Sequence, residues 1–367
     1  MACKARVVVA MSGGVDSSVT AALLSKQGYE VIGVTMQIWE TETGDLGGDY
    51  VSCCSLAAVE DARRVAERLG IPHYVMNFRE AFKKKVVDYF TEGYLSGRTP
   101  NPCIVCNRHV KFGLLLDKAV AIGADYIATG HYARLGYSEG YGRYVLRRPL
   151  DGRKDQTYVL YGLTQYQIAK TLMPLGEYTK ETVRSMAAWF GLPVSDKAES
   201  QEICFVHDNY RDFIREKASG IRPGPFLDMN GNVIGEHKGI PFYTIGQRRG
   251  LGIAAGQRLY VVKIDPKKNA IILGPEEAVM GTELIASDAN IILFEELKDR
   301  LEVEAKVRYN GKAAPAVLAP RPDGKIGVRF KTPQRSITPG QAVVFYLGDY
   351  VVGGATIESA GNGRAPS

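Results

Sequence analysis

Ser12-Gly13-Gly14-Val15-Asp16-Ser17-Ser18 follows the apolar run Val7-Val8-Val9-Ala10 and leads into Val19-Thr20-Ala21-Ala22-Leu23-Leu24. That order predicts a buried strand, a glycine turn and the start of a helix. Adjacent glycines let the backbone bend sharply and approach an anion closely, while Ser17, Ser18 and the N–H groups of a helix N-terminus supply donors. A Walker loop would need Gly-Lys-[Ser/Thr], with its lysine on the β- and γ-phosphates, but no lysine lies between Arg6 and Lys26. The loop therefore suits holding a pyrophosphate better than moving a γ-phosphate. A lone Gly-Gly turn would end many α/β strands; the whole string Ser-Gly-Gly-x-Asp-Ser after a first strand is far more restrictive. Asp16 at this place caps a helix or holds a cation, and the two roles are compatible.

Outward from the loop, the first half alternates strand and helix patterns. Glu30 to Trp39 reads as a buried strand, Ser55 to Leu69 as a helix with Ala58, Ala62, Val65, Ala66 and Leu69 on one face, and His73 to Phe78 as the next strand. Asp125 to His131 reads as a further strand ending in a turn, and the polar stretch Thr41 to Asp49 as a mobile loop. The expectation is an α/β fold, a parallel sheet with helices on both faces and ligands at the carboxyl ends of its strands, where Ser12, Met36 and Gly130 fall. Composition changes near residue 205, with Gly-Pro turns such as Arg222-Pro223-Gly224-Pro225. Short strands are expected at Leu259–Ile264 and Ala270–Leu273, then at Ala289–Phe294, Leu301–Tyr309, Ala314–Ala319, Lys325–Phe330, Ala342–Tyr346 and Tyr350–Ile357. These give three expected domains, 1–205, a small mixed central one at 206–280, and a β-barrel at 281–367, with a frayed tail from Ala360.

The 367 residues carry a formal net charge of +6, which permits a polyanionic partner without requiring one. Met-Ala-Cys-Lys-Ala-Arg enters the first strand directly, and no signal peptide or membrane span is visible, so a cytoplasmic location is expected. Six cysteines in such a setting suggest reactive thiols or metal ligands before structural disulfides.

Asn101-Pro102-Cys103-Ile104-Val105-Cys106-Asn107-Arg108 places an N-cap, a first-position proline and two thiols in one helical turn. There the helix dipole and Arg108 would favour thiolate, as a nucleophile or metal ligand needs. An inert buried Cys-x-x-Cys is the bland alternative, and the polar flanks argue against it. Cys204, between Ile203 and Phe205, reads alone as a core cysteine and, beside the earlier pair, as a second functional thiol. Cys53 and Cys54 have no partner at metal spacing and Cys3 is terminal, so these three read as structural or incidental.

Six segments occur in order along nearly the whole chain. They are the glycine loop, Asn101 to Asn107, Ala128-Thr129-Gly130-His131-Tyr132-Ala133-Arg134, Lys154-Asp155-Gln156, Ser200 to Phe205, and Tyr243 to Gly252. The loop resembles that of the PP-loop ATP pyrophosphatases, and the six together resemble the bacterial tRNA-specific 2-thiouridylases. The resemblance implies ATP-dependent replacement of the 2-oxygen of the wobble uridine by sulfur in the tRNAs for lysine, glutamate and glutamine. It implies a PP-loop catalytic domain over 1–205, ATP phosphates at Ala10, Met11, Ser12, Gly13, Gly14, Val15, Asp16 and Ser17, adenine framed by Met36 and Gly130, and Mg²⁺ at Asp16. It implies Cys106 as nucleophile and Cys204 as carrier of a persulfide sulfur. Asn101, Pro102 and Cys103 would meet the target base, and His131, Lys154, Asp155, Gln156, Arg308, Tyr309 and Gln341 the tRNA. A sulfur donor, a cysteine desulfurase or a persulfide relay protein, is implied as partner, and no membrane is.

Many members of that family carry Asp where this chain has Cys103. Cys103, Cys106 and Cys204 together could ligate three irons of a [4Fe-4S] cluster; otherwise sulfur passes through a Cys204 persulfide and a Cys106–Cys204 disulfide. The sequence leaves both routes open. Two other functions also stay in view. An adenylating synthetase or lysidine-forming ligase would share the loop without needing the thiols, and a non-catalytic RNA-binding protein would not need an intact Asp16.

Overall fold

The computed structural model describes residues 4–39, 56–198, 203–206, 209–254 and 256–361. The stretch Thr41 to Asp49, Cys3, Cys53, Cys54, the residues Ser200 to Glu202 and the end of the tail lie outside the described residues. The chain forms two compact units, one from Met1–Val87, Cys103–His207 and Asp349–Val351, the other from Asp88–Pro102, Asp208–Gly348 and Val352–Ser367.

The first unit is built on a parallel sheet. Its strands are β1 (Arg6–Ala10), β2 (Glu30–Gln37), β3 (His73–Asn77) and β4 (Tyr126–Ala128). After the antiparallel hairpin β5 (Arg134–Ser138) and β6 (Arg143–Arg147) comes the edge strand β7 (Thr171–Leu172). The spatial order is β3-β2-β1-β4-β7, every pairing parallel. β1 lies in the middle, and Val7, Val8 and Val9 are wholly buried, which is why the sequence there is a continuous apolar run and not an alternation.

Helix α1 (Val15–Lys26) is buried on all sides from Ser17 to Leu24. It packs against β1 and β2, against helix α2 (Leu56–Leu69), and against the helix Lys180–Trp189. A helix enclosed this way must be apolar all round or have its polar groups satisfied locally. Here the hydroxyls turn back on the preceding turn: Ser17 Oγ and Ser18 Oγ donate to Gly14 O at 3.2 and 2.8 Å, and Thr20 Oγ1 to Asp16 O at 2.9 Å. On α2 the buried face is Ala58, Val59, Ala62, Val65 and Ala66, with Leu69 packed at its margin.

The helical run that opens at Pro102 is not one uniform helix. An α-turn, Pro102–Val105, passes into a π-helical stretch, Cys106–Leu114, and back to α over Leu115–Ala121. Wide turns of this kind are uncommon and cluster at functional sites. The change of pitch falls at Cys106, and the two thiols of this run differ in exposure. Cys103 is exposed and Cys106 buried.

In the second unit a small sheet has the order β10-β11-β8-β9, from β8 (Gly224–Leu227), β9 (Val233–His237), β10 (Tyr260–Asp265) and β11 (Ala270–Gly274). Six further strands form a closed barrel: β12 (Met280–Ile291), β13 (Leu301–Lys306), β14 (Ala314–Pro320), β15 (Ile326–Arg335), β16 (Ala342–Leu347) and β17 (Tyr350–Gly361). They run β12-β15-β14-β13-β16-β17, and β12 pairs back on β17, which leaves no open edge. One strand is displaced from its expected place, since β12 ends near where a strand was expected to begin at Ala289. Irregular pairing after Gly281, together with Asp288 at φ +50°, breaks the alternation of β12 and hides it from a period-two reading. Among the described residues no helix is long and apolar enough to cross a membrane.

Gly13 is one of the tight points of the first unit. It has φ +67°, and a Cβ there would stand 2.2 Å from the Ala58 carbonyl oxygen of α2. Gly13→Ala should therefore lower stability by about 1–3 kcal/mol, through strain and displaced α2, read as a lower denaturant midpoint at unchanged slope. An unchanged midpoint would refute the packing role given to this glycine.

Candidate active site

The glycine loop leaves the carboxyl end of β1 and is closed by a serine. Ser12 N donates to Ser17 Oγ at 3.1 Å, and the hydroxyls of Ser12 and Ser17 lie 3.3 Å apart. Gly14, extended at φ −99° and ψ 166°, stands at the N-cap of α1 with no side chain to occupy the cap. The first N–H groups of α1 are thus offered to an anion by the backbone alone. Gly130 abuts the same turn: a Cβ there would meet Asp16 C and Ser17 N at 2.8 Å. Ala10 and Met11 precede the loop, Met11 being fixed by Val34 O at 2.8 Å and by the Thr35 hydroxyl on its carbonyl at 2.9 Å. Val15 is buried beneath the loop, and Met36 is half-buried at the end of β2, in register with Met76.

Asp16 is the charged centre. Its Oδ1 accepts Tyr132 OH at 2.9 Å and pairs with Lys180 Nζ at 2.6 Å. Lys197 reaches the loop from the other side, with Nζ 3.0 Å from Gly13 O and 2.5 Å from Asp61 Oδ2. Burial alone would raise the Asp61 carboxyl, but Lys197 and Arg64 together hold it below the usual carboxylate range. Lys180, Lys197 and Tyr132 were not among the candidates read from the sequence. Tyr132 lies inside a quoted motif, but the two lysines lie far along the chain in segments with no motif of their own.

The thiols occupy three settings in the first unit. Cys103 is exposed, Cys106 is 7% exposed at the start of the π-helical stretch, and Cys204 is half-buried on the turn that Val206 N closes on Ile203 O at 3.0 Å. Phe205 anchors that turn edge-on to Phe82, ring centroids 5.5 Å apart. Beside Cys106, Asn107 is buried and donates from Nδ2 to Val159 O at 3.0 Å, while its Oδ1 meets no partner. Among the described residues no three His, Cys, Asp or Glu side chains converge as a metal-binding group. Cys103, Cys106 and Cys204, the three residues named for a cluster, differ in exposure from solvent to core.

Several residues expected to contact tRNA have work inside the protein. His131 bonds Thr129 through Nδ1 at 2.8 Å and packs against the Phe112 ring. Asp155 Oδ1 caps the turn at Thr157, accepting from its N–H at 2.9 Å. Gln156 Oε1 accepts Tyr132 N at 2.8 Å, and Gln156 N returns a bond to Tyr132 O at 3.2 Å. Lys154 ends a short turn capped by Asp151. In the second unit Gln341 Nε2 donates to Thr99 O at 2.8 Å, and Thr99 N donates to Pro339 O at 2.9 Å, fixing the chain just ahead of Asn101 and Pro102. Arg308 and Tyr309 are exposed, and Arg308 lines an open cleft of about 630 Å³ with Arg211, Arg249, Arg335 and Tyr210.

A parallel sheet with an anion-binding glycine loop at its first strand defines a nucleotide-binding α/β protein of the HUP class, and the family models agree. The tRNA methyl transferase HUP domain matches residues 5–208, the tRNA methyl transferase PRC-barrel domain 211–275, and the aminomethyltransferase beta-barrel domain 281–357. The tRNA-specific 2-thiouridylase MnmA of Pelotomaculum thermopropionicum is 70% identical over 98% of this chain and 99% of its own length. Enzymes of the same name from Desulforamulus reducens (64%; 98% of each chain) and Carboxydothermus hydrogenoformans (59%; 96% of this chain, 97% of its own) are similar throughout. The chain belongs to the tRNA-specific 2-thiouridylase family.

Burial holds the His131 imidazole well below its ordinary 6.5, and the Lys111 charge pushes the same way. The unfolded chain takes up a proton near that value while the folded chain does not, so this contribution to stability is complete above it and is lost as pH falls towards the folded value. The unfolding midpoint should drop on acidification from about pH 7 to about pH 5, and His131→Gln should flatten that slope. An identical slope in the variant would show that His131 is protonated in the folded state.

Proposed function

We propose that this chain is a tRNA 2-thiouridylase, which adenylates the C2 oxygen of a wobble uridine with ATP and then replaces that oxygen with sulfur. The observation that carries the reading is the lysine-free glycine loop with its presented N–H groups, Ser17 closure and Asp16, in the same unit as the buried Cys106. Uridine O2 attacks the α-phosphorus of ATP and pyrophosphate leaves; the loop from Ala10 to Ser17 holds the phosphates, and Met36 and Gly130 border the adenine. Asp16 is the carboxylate that would hold Mg²⁺, whose charge would help neutralise the phosphates. The weak leaving group at C2 has then become AMP.

Sulfur arrives as a persulfide on Cys204, delivered by a desulfurase or relay protein. Its terminal sulfur attacks C2, AMP departs with the old oxygen, and Cys106 thiolate attacks Cys204 Sγ. The S–S bond to the base breaks, 2-thiouridine is left, and a Cys106–Cys204 disulfide forms that a thiol reductant must open. Burial of Cys106 and partial burial of Cys204, beside the exposed Cys103, support a route that needs two thiols; three thiolates would also suit a [4Fe-4S] cluster.

The tRNA substrates are those for lysine, glutamate and glutamine. Asn101, Pro102 and Cys103 meet the base, and His131, Lys154, Asp155, Gln156, Arg308, Tyr309 and Gln341 lie along the RNA. The arginine-lined cleft at Arg308 supports phosphate contacts that salt would weaken. The work divides among a catalytic domain over 1–205, a central domain over 206–280 and a barrel over 281–367, in the cytoplasm.

Pyrophosphate release from ATP should depend on a uridine-bearing tRNA and vanish in Asp16→Ala while tRNA binding survives. Release without tRNA dependence would point to another adenylating enzyme. Cys106→Ser and Cys204→Ser should retain tRNA-dependent pyrophosphate release and lose incorporation of labelled sulfur by at least about 100-fold. Full incorporation in either variant would remove that thiol from the route.

A further inference from the structure

A triphosphate brings several negative charges to a loop that offers only neutral N–H and hydroxyl donors, next to a carboxylate. Phosphate sites elsewhere meet this with a lysine inside the loop; here the loop has none. Two lysines from the far end of the unit reach it instead. Lys197 is held by the Asp61 carboxylate and clasps the Gly13 carbonyl, so its charge is balanced and its place is on the outside of the loop.

Lys180 differs. Its side chain is 7% exposed and its ammonium lies on Asp16 Oδ1, at the first turn of α1. A carboxylate at a helix N-terminus is already favoured by the helix dipole and has no need of a buried lysine. Burying an ammonium costs free energy unless a partner compensates, so its placement at a half-exposed carboxylate calls for a reason. The backbone of Lys180 is fixed independently of its side chain. Its N–H donates to Asp151 Oδ2 at 3.1 Å, and Thr179 caps the helix through Thr182 N at 3.2 Å. The stem is anchored, and the ammonium is the part left to change partners.

We propose that Lys180 is the phosphate-binding cation of this ATP site, replacing in space the lysine that the loop lacks in sequence. Without nucleotide its ammonium neutralises Asp16; with nucleotide it exchanges Oδ1 for a non-bridging phosphate oxygen and leaves the carboxylate to the metal-bound nucleotide. The assignment rests on the ATP-binding part of the proposed function and on no later step. No bond is made or broken; one charge-assisted contact replaces another.

The test is equilibrium binding of ATP and of adenosine, by calorimetry, to the full-length chain with magnesium and no tRNA. Lys180→Met should weaken ATP by about 10- to 100-fold and adenosine by less than about twofold, and Lys180→Arg should recover part of the loss. In an Asp16→Asn background, Lys180→Met should still weaken ATP by about 10-fold. If it has no further effect there, Lys180 acts only by neutralising Asp16 and the proposal is overturned. Wild-type ATP affinity in Lys180→Met overturns it too, as does an equal loss for adenosine, which would report damaged folding. A wild-type chain that binds ATP yet never thiolates uridine would sink the proposed function and leave Lys180 in place.

Discussion

One carboxylate oxygen, Asp16 Oδ1, gathers chain segments that the sequence keeps far apart. Tyr132 comes to it from the turn after β4 and Lys180 from the head of a later helix, and Asp16 itself opens α1. The loop, the β4 turn and the helix Lys180–Trp189 must therefore be in place together for any one of them to be in register. Gly130 shows how tight the fit is, since no side chain can stand between the β4 turn and the first turn of α1. Tyr132 carries the arrangement one step further. Its backbone exchanges two hydrogen bonds with Gln156, so the turn that supports Asp16 also supports the segment Lys154 to Gln156.

Enclosure of α1 explains the chemistry the loop can offer. A helix buried on all sides cannot carry long charged side chains near its start, so the hydroxyls of Ser17, Ser18 and Thr20 fold back on carbonyls and the charges come from elsewhere. Cations are supplied by side chains rooted outside the helix, at residues 180 and 197. The division is physical: short polar groups shape the loop, and long anchored ones set its charge.

What was legible in the sequence was local. The apolar run of β1, the glycine turn and the entry into α1 are contiguous, and their order fixes backbone, burial and donor geometry together. The faces of α2 and most of the barrel strands were readable for the same reason. Less was visible where the determinants are distant or irregular. The Lys180–Asp16 pair spans 164 positions, and no periodicity reports such a contact. The π-helical stretch from Cys106 has no compositional mark, so nothing in the sequence separates it from the regular turn that opens at Pro102. The hairpin of β5 and β6 escaped as well: its turn at Glu139 to Gly142 is plain, but its cross-strand tyrosines, Tyr137 and Tyr144, are both exposed and give no core-facing alternation.

The bond from Gln341 to Thr99 means that the barrel does more than add surface. Strand-end backbone near Pro339 and the Gln341 amide hold the chain at residue 99 like a tent peg, and the thiol-bearing helix begins just beyond it at Pro102. A chain shortened before β12 would keep Thr99, Asn101 and Pro102, yet it would lose both contacts that hold Thr99 in place. The place of Thr99 is thus set by a residue 242 positions further along the chain, within the same compact unit.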